Sequence, residues 1–87
     1  MNNANDTILA VDFIKKNFIK SDAKICSQSS YWLKHALQYA TNVYMTEQDF
    51  VKLMEELGYK KSPRGKWKLW LSNELKKFLK EEHIGFI

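Results

Sequence analysis

Between residues 29 and 70 the spacing of apolar side chains changes period, and that change limits the folds open to the chain. Two stretches at helical spacing, joined by a short turn, give way to KWKLWL at residues 66–71. There Trp67, Leu69 and Leu71 alternate with Lys66, Lys68 and Trp70. Alternation at period two describes a half-buried strand. Ahead of it, SPRG at residues 62–65 holds the only proline and a glycine, so it can turn residues 59–61 antiparallel to residues 66–71. Helix, turn, helix and hairpin, in that order, read as a helix-turn-helix with a wing.

The rest of the chain supplies the partners such a unit needs. A first helix is expected from a cap at Asn5 or Asp6 to about Phe18. At 100° per residue it gathers Leu9, Ala10, Val11, Phe13, Ile14 and Phe18 on one broad face, with Asp12, Lys15 and Lys16 opposite. A face that wide can also seat a second copy, so a homodimer stays open. Residues 20–28 form a connector, in which residues 23–26 are the expected place of a short strand. Ser29 or Ser30 caps a second helix running to about Ala40. Trp32, Leu33, Ala36, Leu37 and Ala40 face inward, and Tyr31, Lys34, His35 and Gln38 face outward.

Asn42 suits a left-handed C-cap, with Val43 and Tyr44 packing beneath the turn. Thr46 caps a third helix whose apolar stripe is Phe50, Val51, Met54 and Leu57 and whose stop is Gly58. Ser72 caps a last helix that points Leu75, Phe78 and Leu79 inward and leaves Lys76, Lys77 and Lys80 outside. The apolar run at residues 84–87 is expected to dock on the domain or on a partner.

An 87-residue chain makes one domain, here residues 1–87, and buries only about 60 to 65 per cent of its unfolded surface. Its core must therefore be efficient. Five Phe, three Trp and four Tyr supply that area without a metal or disulfide. Cys26 has no partner for an internal bridge and reads as a small buried hydrophobe. With no charged-then-apolar leader and no apolar run near 18 residues, a cytoplasmic protein without a membrane role is expected. The fold class expected is mainly α with a small β-hairpin, a winged helix-turn-helix-like domain of three-helix core, wing and C-terminal helix.

The formal net charge of +4 is unevenly spread. Lys60, Lys61, Arg64, Lys66, Lys68, Lys76, Lys77 and Lys80 crowd one segment, opposed only by Glu74. Concentrated positive charge attracts polyanions, whereas the same charge evenly spread serves mainly solubility. Lysine or arginine meets phosphate while indole lies on a base or sugar, so Trp70 beside Lys66 and Lys68 fits a nucleic-acid surface. Solvated lysines and an indole packed under the C-terminal segment are the plainer alternative. Tyr31, Lys34 and Gln38 offer groups that position a duplex.

The third helix argues against the simplest groove-insertion picture. Glu47, Asp49, Glu55 and Glu56 outnumber Lys52, and carboxylates facing phosphates are repelled. Catalysis has little to stand on: no Gly-rich phosphate loop, no Cys or His pair at metal spacing, no nucleophile beside a base. Glu81, Glu82 and His83 read as a solvated helix end. No enzyme, cofactor or metal is expected.

The motif SSYWLKH at residues 29–35, followed by Tyr44, Thr46, Phe50, Met54 and Leu57, Gly58, Tyr59, resembles a group of small, largely uncharacterised phage and mobile-element proteins. That group carries S-S-Y-x-L-K-H and then Y-(V/I)-(S/T)-N-x-x-F and G-(Y/F). The likeness covers residues 29–59, and its seven-residue opening is the specific part. This chain departs from it with Met45, Thr46 and Glu47 around the second cap, where the group carries Thr-Asn or Ser-Asn. The resemblance implies a phage or integrated-element origin and fits a winged-helix-like domain, and it transfers no site residue.

The functional expectation is a basic regulator or replication protein that binds DNA, double- or single-stranded, mainly by its backbone. The contacts expected are Tyr31, Lys34, Gln38, Lys60, Lys61, Arg64, Lys66, Lys68, Trp70, Lys76 and Lys77. The alternative is a phage-type inhibitor or adaptor, for example anti-defence, that meets a host or phage protein through the acidic third helix and the apolar C-terminus.

Overall fold

Short polar side chains decide where the helices of this chain begin. In the computed structural model, which describes residues 4–26 and 28–81, Ser29 Oγ accepts from the Trp32 amide at 3.1 Å and opens α2, Ser30–Thr41. Thr46 Oγ1 accepts from the Asp49 amide at 3.1 Å and opens α3, Glu47–Glu56. Ser72 Oγ accepts from the Leu75 amide at 3.0 Å and opens α4, Asn73–Glu81. Each bond satisfies an amide that the first turn of a helix leaves unpaired. At the other end of α2, Asn42 turns left-handed (φ 62°) and its amide bonds the Gln38 carbonyl at 2.8 Å, the stop its side chain predicts.

The first helix, α1, spans Ala4–Asn17, so Asn5 and Asp6 lie in its first turn rather than at its cap. It ends one residue before Phe18, which opens β1, Phe18–Lys20. The expected strand at residues 23–26 is thus displaced toward the N-terminus. The cause is local: Ser21 Oγ accepts from the amides of both Ala23 and Lys24, a side-chain turn that bends the connector. Cys26 still donates its amide to the Trp67 carbonyl at 2.8 Å without joining a strand.

A second correction concerns the later strand. The sequence sets residues 59–61 antiparallel to residues 66–71, and the structure shows that pairing only as far as Lys68. Lys61 and Trp67 form an antiparallel bridge, and the Lys68 amide reaches the Lys60 carbonyl at 2.8 Å. Beyond Lys68 the chain changes partner. In β2, Leu69–Leu71, Phe18 stands opposite Leu71, Ile19 opposite Trp70 and Lys20 opposite Leu69, antiparallel. A bend at Lys68, where the Leu69 amide turns back on the Trp67 carbonyl, makes the switch. The described residues are therefore mainly helical, with four helices and a small two-stranded antiparallel sheet, an arrangement compatible with a winged helix.

One continuous core joins these elements. Phe18 meets Phe13 and Phe50 edge-on, with centroids 5.5 and 6.3 Å apart, and so ties α1, β1 and α3 together. Trp32, Leu33, Ala36 and Leu37 bury the inner face of α2, whereas Ala40, expected among them, is exposed. Leu9 is likewise half out of the core, and Leu53 of α3, absent from the expected stripe, is inside. Val43 packs under the turn while Tyr44 stays exposed. Cys26 is buried as a free thiol, and burial pushes its pKa up against the smaller opposing effects of a Gln28 backbone hydrogen bond and Lys66. The apolar run expected to dock, residues 84–87, and the residues Glu82 and His83 lie outside the described residues.

Candidate nucleic-acid interface

The basic hairpin is fixed from inside by two aromatic residues. Tyr59, just after the left-handed Gly58 (φ 89°) that ends α3, is buried with its hydroxyl against the carbonyls of Ile14 and Phe18. Burial raises the phenol's pKa, so it remains a proton donor to them. Trp67 is 1 % exposed, and its indole N–H donates to Ser30 Oγ at 2.8 Å, which clamps the returning strand to the start of α2. Between them the Ser62 amide reaches the Lys66 carbonyl at 2.6 Å and the Gly65 amide (φ 82°) reaches the Ser62 carbonyl at 2.9 Å. This tight turn leaves Pro63 and Arg64 exposed at the tip.

Alternation does the rest. With Trp67 and Leu69 inside, Lys66, Lys68 and Trp70 are turned outward, and Lys60 and Lys61 flank them on the opposing segment. Lys61 lays its ammonium 4.9 Å from the centroid of the Trp67 ring, so part of its charge is engaged by the protein itself. Lys60 and Lys68 line one shallow concavity together with Lys20, Ser21, Asp22 and Gly58. Among the described residues, no ion pair joins Lys20, Lys60 or Lys68 to a carboxylate. Asp12 pairs with Lys16 at 3.4 Å and Glu81 with Lys77 at 4.0 Å, each within one helix.

The remaining expected contacts do not converge on that concavity. Trp70 and Lys76 line a separate groove of about 310 Å³ with Lys24, Ile25, Cys26 and Trp32. Trp70 is 38 % exposed, so the outer face of the strand carries it. Lys77 is exposed but lies beside Glu81. On α2, Tyr31 is exposed and Gln38 half-buried, and Gln38 opens with His35 and Phe78 onto a third hollow.

Lys34 overturns its expected place on the outer face. It is 6 % exposed, its ammonium held 5.3 Å from the Tyr31 centroid and 5.1 Å from that of Tyr44. Two aromatic rings lie close to the charge of a buried side chain, so Lys34 braces the α2 surface rather than extending from it. His35 packs edge-on against Tyr31, and its Nε2 is buried with no hydrogen-bond partner among the described residues.

Sequence reasoning missed Lys20 and Ser21, because Phe18 was placed in the first helix and the strand was put too late. Three residues that grade from buried Phe18 through half-buried Ile19 to exposed Lys20 are too short a run to show a period-two signal. Among the described residues, no group of three or more His, Cys, Asp or Glu is placed to hold a metal ion, and no helix is long and apolar enough to cross a membrane. Comparison of the chain with protein families, curated proteins and solved structures finds no match.

Proposed function

We propose that the chain is a winged-helix nucleic-acid-binding protein of a phage or mobile element, acting in regulation or replication and gripping DNA by its phosphates more than its bases. The observation that carries the reading is the pair Lys60 and Lys68, side by side on the outward face of the hairpin and joined to no carboxylate among the described residues. Lys61, Arg64 and Lys66 extend the same positive segment toward the hairpin tip, and the segment from residue 60 to residue 68 contains no acid. The order helix, strand, helix, helix, hairpin, strand, with the first strand paired to the last, supports the winged-helix part of the reading.

The mechanism is counterion release. Each phosphate neutralised by a lysine or arginine frees condensed cations, so affinity falls as salt rises. If about four phosphates are neutralised, log affinity falls with log salt at a slope of about −3 to −4. A salt-titrated binding series on random duplex and single-stranded DNA, with particle size followed in parallel, measures this. A slope near zero on both forms ends the proposal.

A second reading has its own support. Glu47, Glu55 and Glu56 are exposed on α3. An inhibitor or adaptor that uses that acidic face would take a basic protein partner, with charge complementarity setting its association rate and choice of partner.

A further inference from the structure

The concavity beside the hairpin holds more than the two lysines that alternation places there. Lys20 arrives from β1, one position before Ser21, and stands opposite Leu69 in the strand register. Its ammonium lies 5.1 Å from the centroid of the Tyr59 ring. Gly58 lies against it: a Cβ there would stand 3.0 Å from Lys20 Nζ, the movable end of the side chain, and the backbone φ of +89° disfavours any side chain at that position. Lys60 and Lys68 close the other sides, and Ser21 and Asp22 complete the rim of a space of about 260 Å³.

Its chemistry selects a small anion. Apolar ligands take pockets of about 300 to 1,000 Å³ lined mainly by hydrophobic side chains, whereas this one is smaller and is lined by three lysines, a serine, an aspartate and a glycine. Ser21 Oγ accepts from the amides of Ala23 and Lys24, which leaves its own proton to donate. Three lysines on the rim of one concavity, against one aspartate, favour an oxyanion there over a cation. Asp22 acts in the opposite sense, so the site carries net positive charge that its carboxylate reduces.

We infer that Lys20, Lys60, Lys68 and the Ser21 hydroxyl form a built phosphate site, occupied by one phosphate of the nucleic-acid backbone. The inference rests on the nucleic-acid reading for the source of that phosphate, and on the pocket alone for its chemistry. Lys20 and Ser21 then act as the anchor that fixes the hairpin on the strand, while Arg64 and Lys66 contribute from the tip.

The test uses the full chain and four arms: random duplex DNA, inorganic phosphate, and the variants Lys20→Gln and Asp22→Asn. Amide resonances of Ser21 and Gly58 report occupancy directly, and Lys16→Gln, at a lysine paired on α1, is the control. Duplex should shift both resonances, Lys20→Gln should weaken binding about threefold to tenfold and make the salt slope shallower by about 1, and Asp22→Asn should tighten binding. If inorganic phosphate alone shifts the two resonances while no DNA binds, the phosphate site stands and the nucleic-acid reading falls. If duplex binds with a steep salt slope but Lys20→Gln changes neither slope nor affinity and the resonances stay still, the site falls and the reading stands. Silence in every arm overturns both.

Discussion

Helix α3 and the hairpin are joined only by residues 57–59, yet they offer a polyanion opposite receptions. The helix exposes Glu47, Glu55 and Glu56 around Lys52, and the hairpin exposes Lys60, Lys61, Arg64 and Lys66 with no acid among them. The carboxylates of Glu47 and Asp49 favour the positive end of the helix dipole, which accounts for their place in the first turn. Glu55 and Glu56 sit in the last turn, where the dipole disfavours them, and so they cost stability rather than add it. In the usual docking of a helix-turn-helix the second helix enters the major groove. Under the proposed nucleic-acid reading, the charge distribution favours the hairpin over that helix as the contact.

The largest effect that sharpens the contrast falls on the hairpin's inner side. Trp67→Ala removes a fully buried indole and its bond to Ser30, and should cost about 3 to 5 kcal/mol in denaturant unfolding. Retained stability would mean that the inner side of the hairpin does not hold the outer one in place. Reversing charge outside, in Lys66→Glu with Lys68→Glu, should leave the melting temperature near that of the parent and weaken DNA binding by about tenfold or more. Unchanged affinity would take the hairpin out of the interface. The smallest change is on the helix: Glu55→Lys with Glu56→Lys should stabilise the fold by about 0.3 to 1 kcal/mol per site. It should also raise DNA affinity only slightly. A gain as large as the loss from Lys66 and Lys68 would place α3 against the phosphates after all.

The boundaries legible in the sequence are those set by local chemistry. Ser29, Asn42, Thr46, Gly58 and Ser72 each act through a bond or a dihedral angle within a few residues, and each stands where its side chain predicts. Strand partnership was less legible, because the switch at Lys68 depends on a segment about fifty residues earlier. The alternation of Trp67, Leu69 and Leu71 gives the facing of a strand but not the identity of its neighbour. Lys34 shows the same limit on a helix. Helical spacing places it outward, yet it is buried, with Tyr31 of its own helix and Tyr44 from beyond the C-cap both against its ammonium. The concavity at Lys20 is hidden from the sequence for a similar reason, since Lys20 meets Lys60 and Lys68 through strand pairing rather than through sequence proximity.

The β1–β2 seam also bears on how the chain reaches its folded form. Alongside the strand ladder, Ser72 donates to the Asn17 carbonyl through its amide at 2.9 Å and to the Asn17 side-chain oxygen through its hydroxyl at 2.7 Å. This is a zip closing a loop that contains α2, α3 and the hairpin. Loop closure over that span is paid in chain entropy before any pairing energy is returned. The enclosed elements close shorter spans, with α2 next to α3 in sequence and Trp67 reaching back to Ser30, so they should gather first, and the end of α1 should meet the start of α4 when the zip closes.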